Sequence, residues 1–258
     1  MTDEIIFEER GAVAHVRLER PAKRNALTRG MLERLGEIFA GVEARRDLRA
    51  VILSGAGRDF CAGTDISELE ALDEAGAHAK AARGQEVCER IELCGTPVVA
   101  AVRGAAAGAG GELALACHLR VAARDARFSL PEARLGCIPA YGGTQRLARA
   151  LGTGRALSAM LVGDEIDAEE ALGLGLVNRV VAPGTERDAA IALAQKVALK
   201  SAYTVKLGKE AFYRQAEMNL TDAYRYAAEV MTENMMARDA EEGIGAFIEK
   251  RDPTWQDK

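Results

Sequence analysis

The sequence has no apolar run long enough to cross a membrane, no Lys/Arg run longer than two residues and no Cys-x-x-Cys pair. A spanning helix needs about 20 consecutive, mostly apolar residues, so no membrane span is expected. Lys and Arg number 34 against 39 Asp and Glu, a formal charge of −5. That balance leaves no basic field for a polyanion, and nucleic acid is not expected as a partner. Five cysteines (Cys61, Cys88, Cys94, Cys117, Cys137) form an odd set without a disulfide framework, and they read as reduced core thiols of a reducing compartment. Only three histidines exist, one of them beside a cysteine at Cys117-His118, so no metal site is expected. The opening MTDEIIFEER is acidic from its third residue and has neither a basic nor an apolar leader segment. No secretory signal is therefore expected, and the location is read as cytoplasmic.

What is present is ordinary globular composition, 48% hydrophobic and 28% charged over 258 residues, enough to bury one core plus a small appendage. Alternating segments at Ile5–Glu8 and Val13–Leu18 around Gly11 predict an opening hairpin. From Thr28, the expected N-cap, Met31, Leu35, Ile38, Phe39 and Val42 fall on one helical face. A strand over Ala50–Ser54 follows, then a helix carrying Val87, Ile91 and Cys94, then a strand over Pro97–Val102. Short strands at Val121–Ala123 and Phe128–Leu130 alternate with helices beginning near Gly110 and Gly143. Strands separated by helices imply an α/β arrangement. Past about residue 184 only helical spacing remains, as in Ala223, Tyr226, Ala227, Val230 and Met231, and such a stripe must cover the core or a neighbouring subunit.

Three segments carry candidate chemistry. In Val102 to Cys117 an apolar strand runs through small residues into a helix containing Glu112, a turn that lets free backbone amides approach an anion or a developing oxyanion. A junction needing glycine only for packing would look the same. A dinucleotide fingerprint starting at Gly108 would need Gly or Ala at 113, where Leu113 stands, and a nucleophile elbow would need a serine that is not there. The second segment, Asp59 to Ile66, is a Gly/Asp turn after a strand and can also present free amides. In the third, Glu132 follows Pro131 among apolar residues, a setting that raises a carboxyl pKa and suits proton donation near neutrality. An ordinary exposed glutamate is the alternative.

Arg20-Pro21 with Asn25-Ala26-Leu27, Phe60 to Ile66, Gly108 to Ala114 with Glu112, Pro131-Glu132 and Gly142 to Leu147 occur in the order and spacing of the enoyl-CoA hydratase/isomerase (crotonase) family, and Glu242 to Arg251 is similar to that family's C-terminal helix. The resemblance implies an α/β, crotonase-like spiral of ββα units over residues 1–195, with a helical trimerisation region over 196–258 and a homotrimer or a homohexamer built as a dimer of trimers. It implies that the amides of Thr64 and Ala109 form an oxyanion hole for a thioester, that Glu112 activates water, and that Glu132 delivers a proton. Coenzyme A would enter as part of an acyl-CoA substrate, not as a cofactor, lying along Arg24, Ala26, Ala62, Asp65 and Ile66 mostly on backbone atoms, with Ala140 and Lys250 also in the binding set. Both glutamates favour hydration, since family isomerases commonly keep only the acid matching Glu132. An isomerase, a hydratase of a branched or acidic enoyl-CoA, and a non-catalytic acyl-CoA-binding protein are the alternatives. Ala109 and Ala140 stand where many relatives have glycine, Thr64 where many hydratases have alanine, and His118 where aspartate is usual. His118 reads as structural; His15 and His78 have no motif context.

Overall fold

The computed structural model describes residues 4–70 and 72–258. Contacts divide the chain into two units, residues 1–194 and 195–258.

The first unit is built on a six-stranded sheet whose order is β1-β2-β3-β4-β6-β9. β1 (Ile5–Arg10) and β2 (Val13–Leu18) form the expected antiparallel hairpin, with Ile5 opposite Leu18. β3 (Ala50–Gly55), β4 (Val98–Val102), β6 (Leu119–Ala123) and β9 (Arg179–Val181) add in parallel. A parallel strand covered on both faces has to be apolar throughout, not alternating, and VVAAV of β4 is buried at every position. The connecting helices are α1 (Arg29–Glu43), α2 (Glu74–Leu93) and α3 (Ala109–Ala116). The Thr28 side chain accepts from the Met31 amide and caps α1, which buries Met31, Leu32, Leu35, Ile38, Phe39 and Val42.

Between β4 and α3 the structure inserts β5 (Ala105–Ala107), which the small-residue run concealed. It belongs to a second sheet of order β5-β7-β8, with β7 (Arg127–Ser129) and β8 (Ile166–Asp167). Three alanines carry too little strand propensity to announce a strand, and pairing with Arg127–Ser129 supplies what propensity lacks. α4 (Gly143–Leu151), α5 (Thr153–Val162), α6 (Ala168–Gly173) and α7 (Glu186–Ala198) complete this unit, α7 ending just beyond it.

The second unit holds α8 (Ala202–Gln215), α9 (Leu220–Met235) and α10 (Arg238–Glu249). Buried Asp239 organises it, accepting from the Ser201 hydroxyl at 2.6 Å and from the Gln256 and Asp257 amides at 2.7 and 2.9 Å. Much of its apolar surface is left open: Phe212, Tyr224, Met231, Met236, Phe247 and Ile248 are all exposed.

Four of the five cysteines are buried, as core thiols should be, but Cys137 is exposed, because it follows Gly136 at the end of a surface turn, Glu132–Leu135. His118 is structural: its Nδ1 accepts from the Val98 amide at 2.8 Å and its Nε2 lies 3.0 Å from the Glu92 carbonyl. His15, without motif context in the sequence, is buried against the Ser54 hydroxyl at 2.7 Å, and burial pushes its pKa down to about 4.

Candidate active site

Glu112 sits in the first turn of α3, 1% exposed. Its Oε1 accepts from the amides of Tyr141 and Gly143, both at 2.7 Å. Burial pushes its pKa up to about 7, opposed by those two amides and by the Arg146 charge and assisted by the Glu132 charge. Glu132 starts the turn after Pro131 and is half-buried. Burial raises its pKa as well, and its Oε2 is buried without a hydrogen-bond partner.

Two backbone segments face these carboxyls. Residues 61–65 run alongside 105–109: the Cys61 amide donates to Ala105 O at 2.9 Å and the Ala107 amide to Cys61 O at 3.0 Å. Gly110 lets α3 close on this segment, since a Cβ there would overlap the Cys61 carbonyl. Gly63 takes φ +109, a backbone state that suits glycine alone, with Ala107 O and the Ala109 amide around its missing Cβ. On the far side, Leu27 donates to Gly63 O at 2.7 Å and accepts from the Asp65 amide at 2.9 Å. Alternation along an extended chain then turns the Thr64 amide away from Leu27. Ala109 is the first residue of α3, where amides have no partner within the helix. Among the described residues, neither the Thr64 nor the Ala109 amide meets a protein acceptor.

A single cavity of about 260 Å³ is lined by Thr64, Ala109, Glu112 and Glu132 together. Ala62, Ile66 and Ala140 line it too, and Ile66, Leu135 and Ile138 form an exposed apolar rim. The other sequence candidates lie elsewhere. Arg24 pairs through Nε with Asp59 at 2.8 Å, Ala26 offers its carbonyl to Arg20 at 3.0 Å, and Asp65 pairs with Arg20 at 2.7 Å while capping the turn at Ser67. Those bonds, to Ser67 first and to Arg20, push the Asp65 pKa down to about 2. Lys250 is an exposed C-cap of α10 in the second unit, with φ +56.

Sequence reasoning missed several groups that hold the site. Tyr141 and Arg146 clamp the loop: the Arg146 Nη1 donates to Tyr141 O at 2.9 Å and its Nη2 pairs with Glu92 at 2.6 Å. A tyrosine standing alone in the small-residue run Ala140–Gly143 was the available signal. Asp59, nearly fully buried, accepts from Arg24 and from the Ala105 amide at 2.9 Å. Lys80, on the cavity wall, is bonded to Glu68 at 2.8 Å.

A sequence model of the family described as enoyl-CoA hydratase/isomerase matches residues 8–258. The chain belongs to the enoyl-CoA hydratase/isomerase family. A short-chain-enoyl-CoA hydratase of Clostridium acetobutylicum is 38% identical over 248 residues, 96% of this chain and 95% of that relative. A crotonyl-CoA hydratase of Syntrophomonas wolfei is 35% identical over 250 residues, 96% of each chain. The crystal structure of an enoyl-CoA hydratase from Bacillus anthracis superposes with a TM-score of 0.95 at 34% identity, over 99% of this chain and 100% of that one. The α/β fold is the crotonase-like one of the enoyl-CoA hydratase/isomerase family. No helix among the described residues is long and apolar enough to cross a membrane.

Proposed function

We propose that this protein is an enoyl-CoA hydratase, a hydro-lyase that adds water reversibly to a 2-trans-enoyl-CoA to give a 3-hydroxyacyl-CoA. The observation that carries the proposal is the one cavity holding two carboxyls of raised pKa beside two unengaged amides. The Thr64 and Ala109 amides hold the thioester oxygen, drawing electron density from C3 and accepting the enolate charge that follows. In other enzymes one such donor is worth about 2.7–4 kcal/mol. Glu112, ionised, takes a proton from water as the water oxygen bonds to C3; the C2–C3 π pair becomes the C1–C2 double bond of the enolate and the carbonyl π pair moves onto the thioester oxygen. Glu132, protonated, then gives its proton to C2 as the enolate collapses. One proton enters at one carboxyl and one leaves at the other, so the pair is reset by exchange with solvent.

The apolar rim at Ile66, Leu135 and Ile138 suits an acyl or pantetheine chain, with coenzyme A arriving as part of the substrate. A short acyl group fits the cavity volume and agrees with relatives named for short-chain and crotonyl substrates. Backbone atoms of 62 and 66, on the cavity wall, support this binding path better than the Arg24 and Asp65 side chains, which are committed to Asp59 and Arg20. The exposed apolar residues of α8 to α10 support self-assembly into a trimer, or a hexamer of two trimers, since patches of this kind are seldom left in water.

Product analysis after incubation with a mixed pool of enoyl-CoA thioesters tests the proposal. A 3-hydroxyacyl-CoA is the expected product; a shifted double bond without water addition makes the protein an isomerase, and tight binding without turnover makes it an acyl-CoA-binding protein.

A further inference from the structure

Tyr141 reaches both halves of the site. Its amide donates to Glu112 Oε1, while its hydroxyl is buried beside the Thr64 side chain without closing a hydrogen bond of normal geometry to any group. The rest of the residue is held firmly. Its ring lies where α2 carries Gly84, and a Cβ at 84 would overlap ring atoms Cδ1 and Cε1. Its carbonyl accepts from Arg146 at 2.9 Å, and the preceding carbonyl, of Ala140, accepts from Gln85 Nε2 at 2.9 Å. An unpartnered buried hydroxyl is costly, and proteins keep one mainly where another state uses it. Catalytic hydrogen bonds are often long in the empty site and tighten in the complex.

We infer that Tyr141 is a positioning residue that ties the Thr64 amide to Glu112: the Tyr141–Thr64 hydroxyl contact closes into a hydrogen bond when an oxyanion docks on the Thr64 amide, while the Tyr141 amide keeps Glu112 aimed. Because the ring is pinned by α2 and the backbone of Tyr141 by Arg146, while Leu27 grips the backbone on both sides of Thr64, the Thr64 side chain is the part that rotates. Burial raises the pKa of the phenol above its ordinary value, so it remains a neutral donor. The inference rests on the proposed use of the Thr64 amide as an oxyanion donor.

Acetoacetyl-CoA is the probe, because its enolate absorbs in the near ultraviolet and reports on the amide pocket without any hydration step. Tyr141→Phe keeps the ring and removes only the hydroxyl. It is expected to weaken enolate binding about fivefold, the worth of one net hydrogen bond, and to lower kcat on crotonyl-CoA by a similar factor with KM unchanged. Its melting temperature should not fall, since the hydroxyl is unpaired in the free protein. Thr64→Val should match it, the double variant should lose no more than either single one, and Thr64→Ser should retain wild-type binding. Wild-type enolate affinity in Tyr141→Phe, losses that multiply in the double variant, or a wild type that binds no enolate would each overturn the inference. A wild type that binds the enolate but hydrates no enoyl-CoA overturns the proposed reaction, and the titration still decides the coupling.

Discussion

Gly143 gives Glu112 its hydrogen bond and its room: the amide of Gly143 donates to Glu112 Oε1 at 2.7 Å, and a Cβ at 143 would lie 2.9 Å from the same oxygen. A methyl group there must push the carboxyl off the amide or tilt α4 away. Leu130 Cδ1, 3.0 Å from the same point, blocks the nearest retreat. Gly143→Ala is therefore expected to lower kcat by about 10²-fold, the order of cost of a misplaced catalytic group, while circular dichroism stays that of the wild type. Wild-type turnover in this variant would show that the aim of Glu112 is not critical.

The raised carboxyl pKa values give a pH dependence of definite sign. Glu112 goes from an ordinary 4.5 to about 7 in the folded state. Below 4.5 it is protonated folded and unfolded; between 4.5 and 7 the folded state holds the proton that the unfolded chain has released. Stability from this group is therefore lost as pH rises across that window, and the loss is complete above 7. Glu112→Gln should flatten that part of the curve, so its melting temperature gains on the wild type from pH 4.5 to 7. The kcat/KM of the wild type should be bell-shaped, rising as Glu112 ionises and falling as Glu132 loses its proton, with both limbs belonging to the pair because their charges interact. Both carboxamide variants, at 112 and at 132, should lose about 10²–10⁴-fold in hydration. A parallel stability curve for Glu112→Gln would sink the assignment of the pKa.

Asn25, fully buried with φ +56, stitches the chain before α1 to the turn after β3. Its Nδ2 donates to the carbonyls of Ala56 and Asp59 at 2.9 and 2.8 Å, and its Oδ1 accepts from the Arg20 amide at 2.9 Å. Asn25→Ala strands those groups and places alanine in a left-handed backbone state. A loss of about 1–3 kcal/mol is expected, seen as a lower urea midpoint at an unchanged slope. An unmoved midpoint would mean that water replaces the amide without cost.

Cys137 lines the cavity and is exposed, while Cys61 and Cys117 are buried and their thiols pushed up to about 12 by burial. Iodoacetamide should label Cys137 first, by mass spectrometry, and saturating acyl-CoA should slow that labelling several-fold. Labelling at an unchanged rate under saturation would place the ligand away from this wall.

Glu112 and Glu132 were candidates in the sequence through the order of their flanking motifs, and the structure brings both to one cavity; α1 could be drawn residue by residue because one face of it is apolar. β5 could not, because Ala105–Ala107 has no strand signature and gains its pairing from Arg127–Ser129, some 20 residues on. The side-chain partners of Arg24 and Asp65, which are Asp59 and Arg20, were not legible either; the spacing of a motif says where a residue is, and not which neighbour its charge meets.

By itself the sequence determined the α/β class, the opening hairpin, the capped first helix and the apolar strands, because periodicity, capping and local composition act over a few residues. Only the tertiary structure decided that the amides of 64 and 109 remain unengaged, that Tyr141 and Gly143 grip one oxygen of Glu112, and that a phenol is left unpaired beside Thr64. Those facts depend on close approach between segments tens of residues apart, where the presence or absence of a single Cβ sets whether the backbones meet.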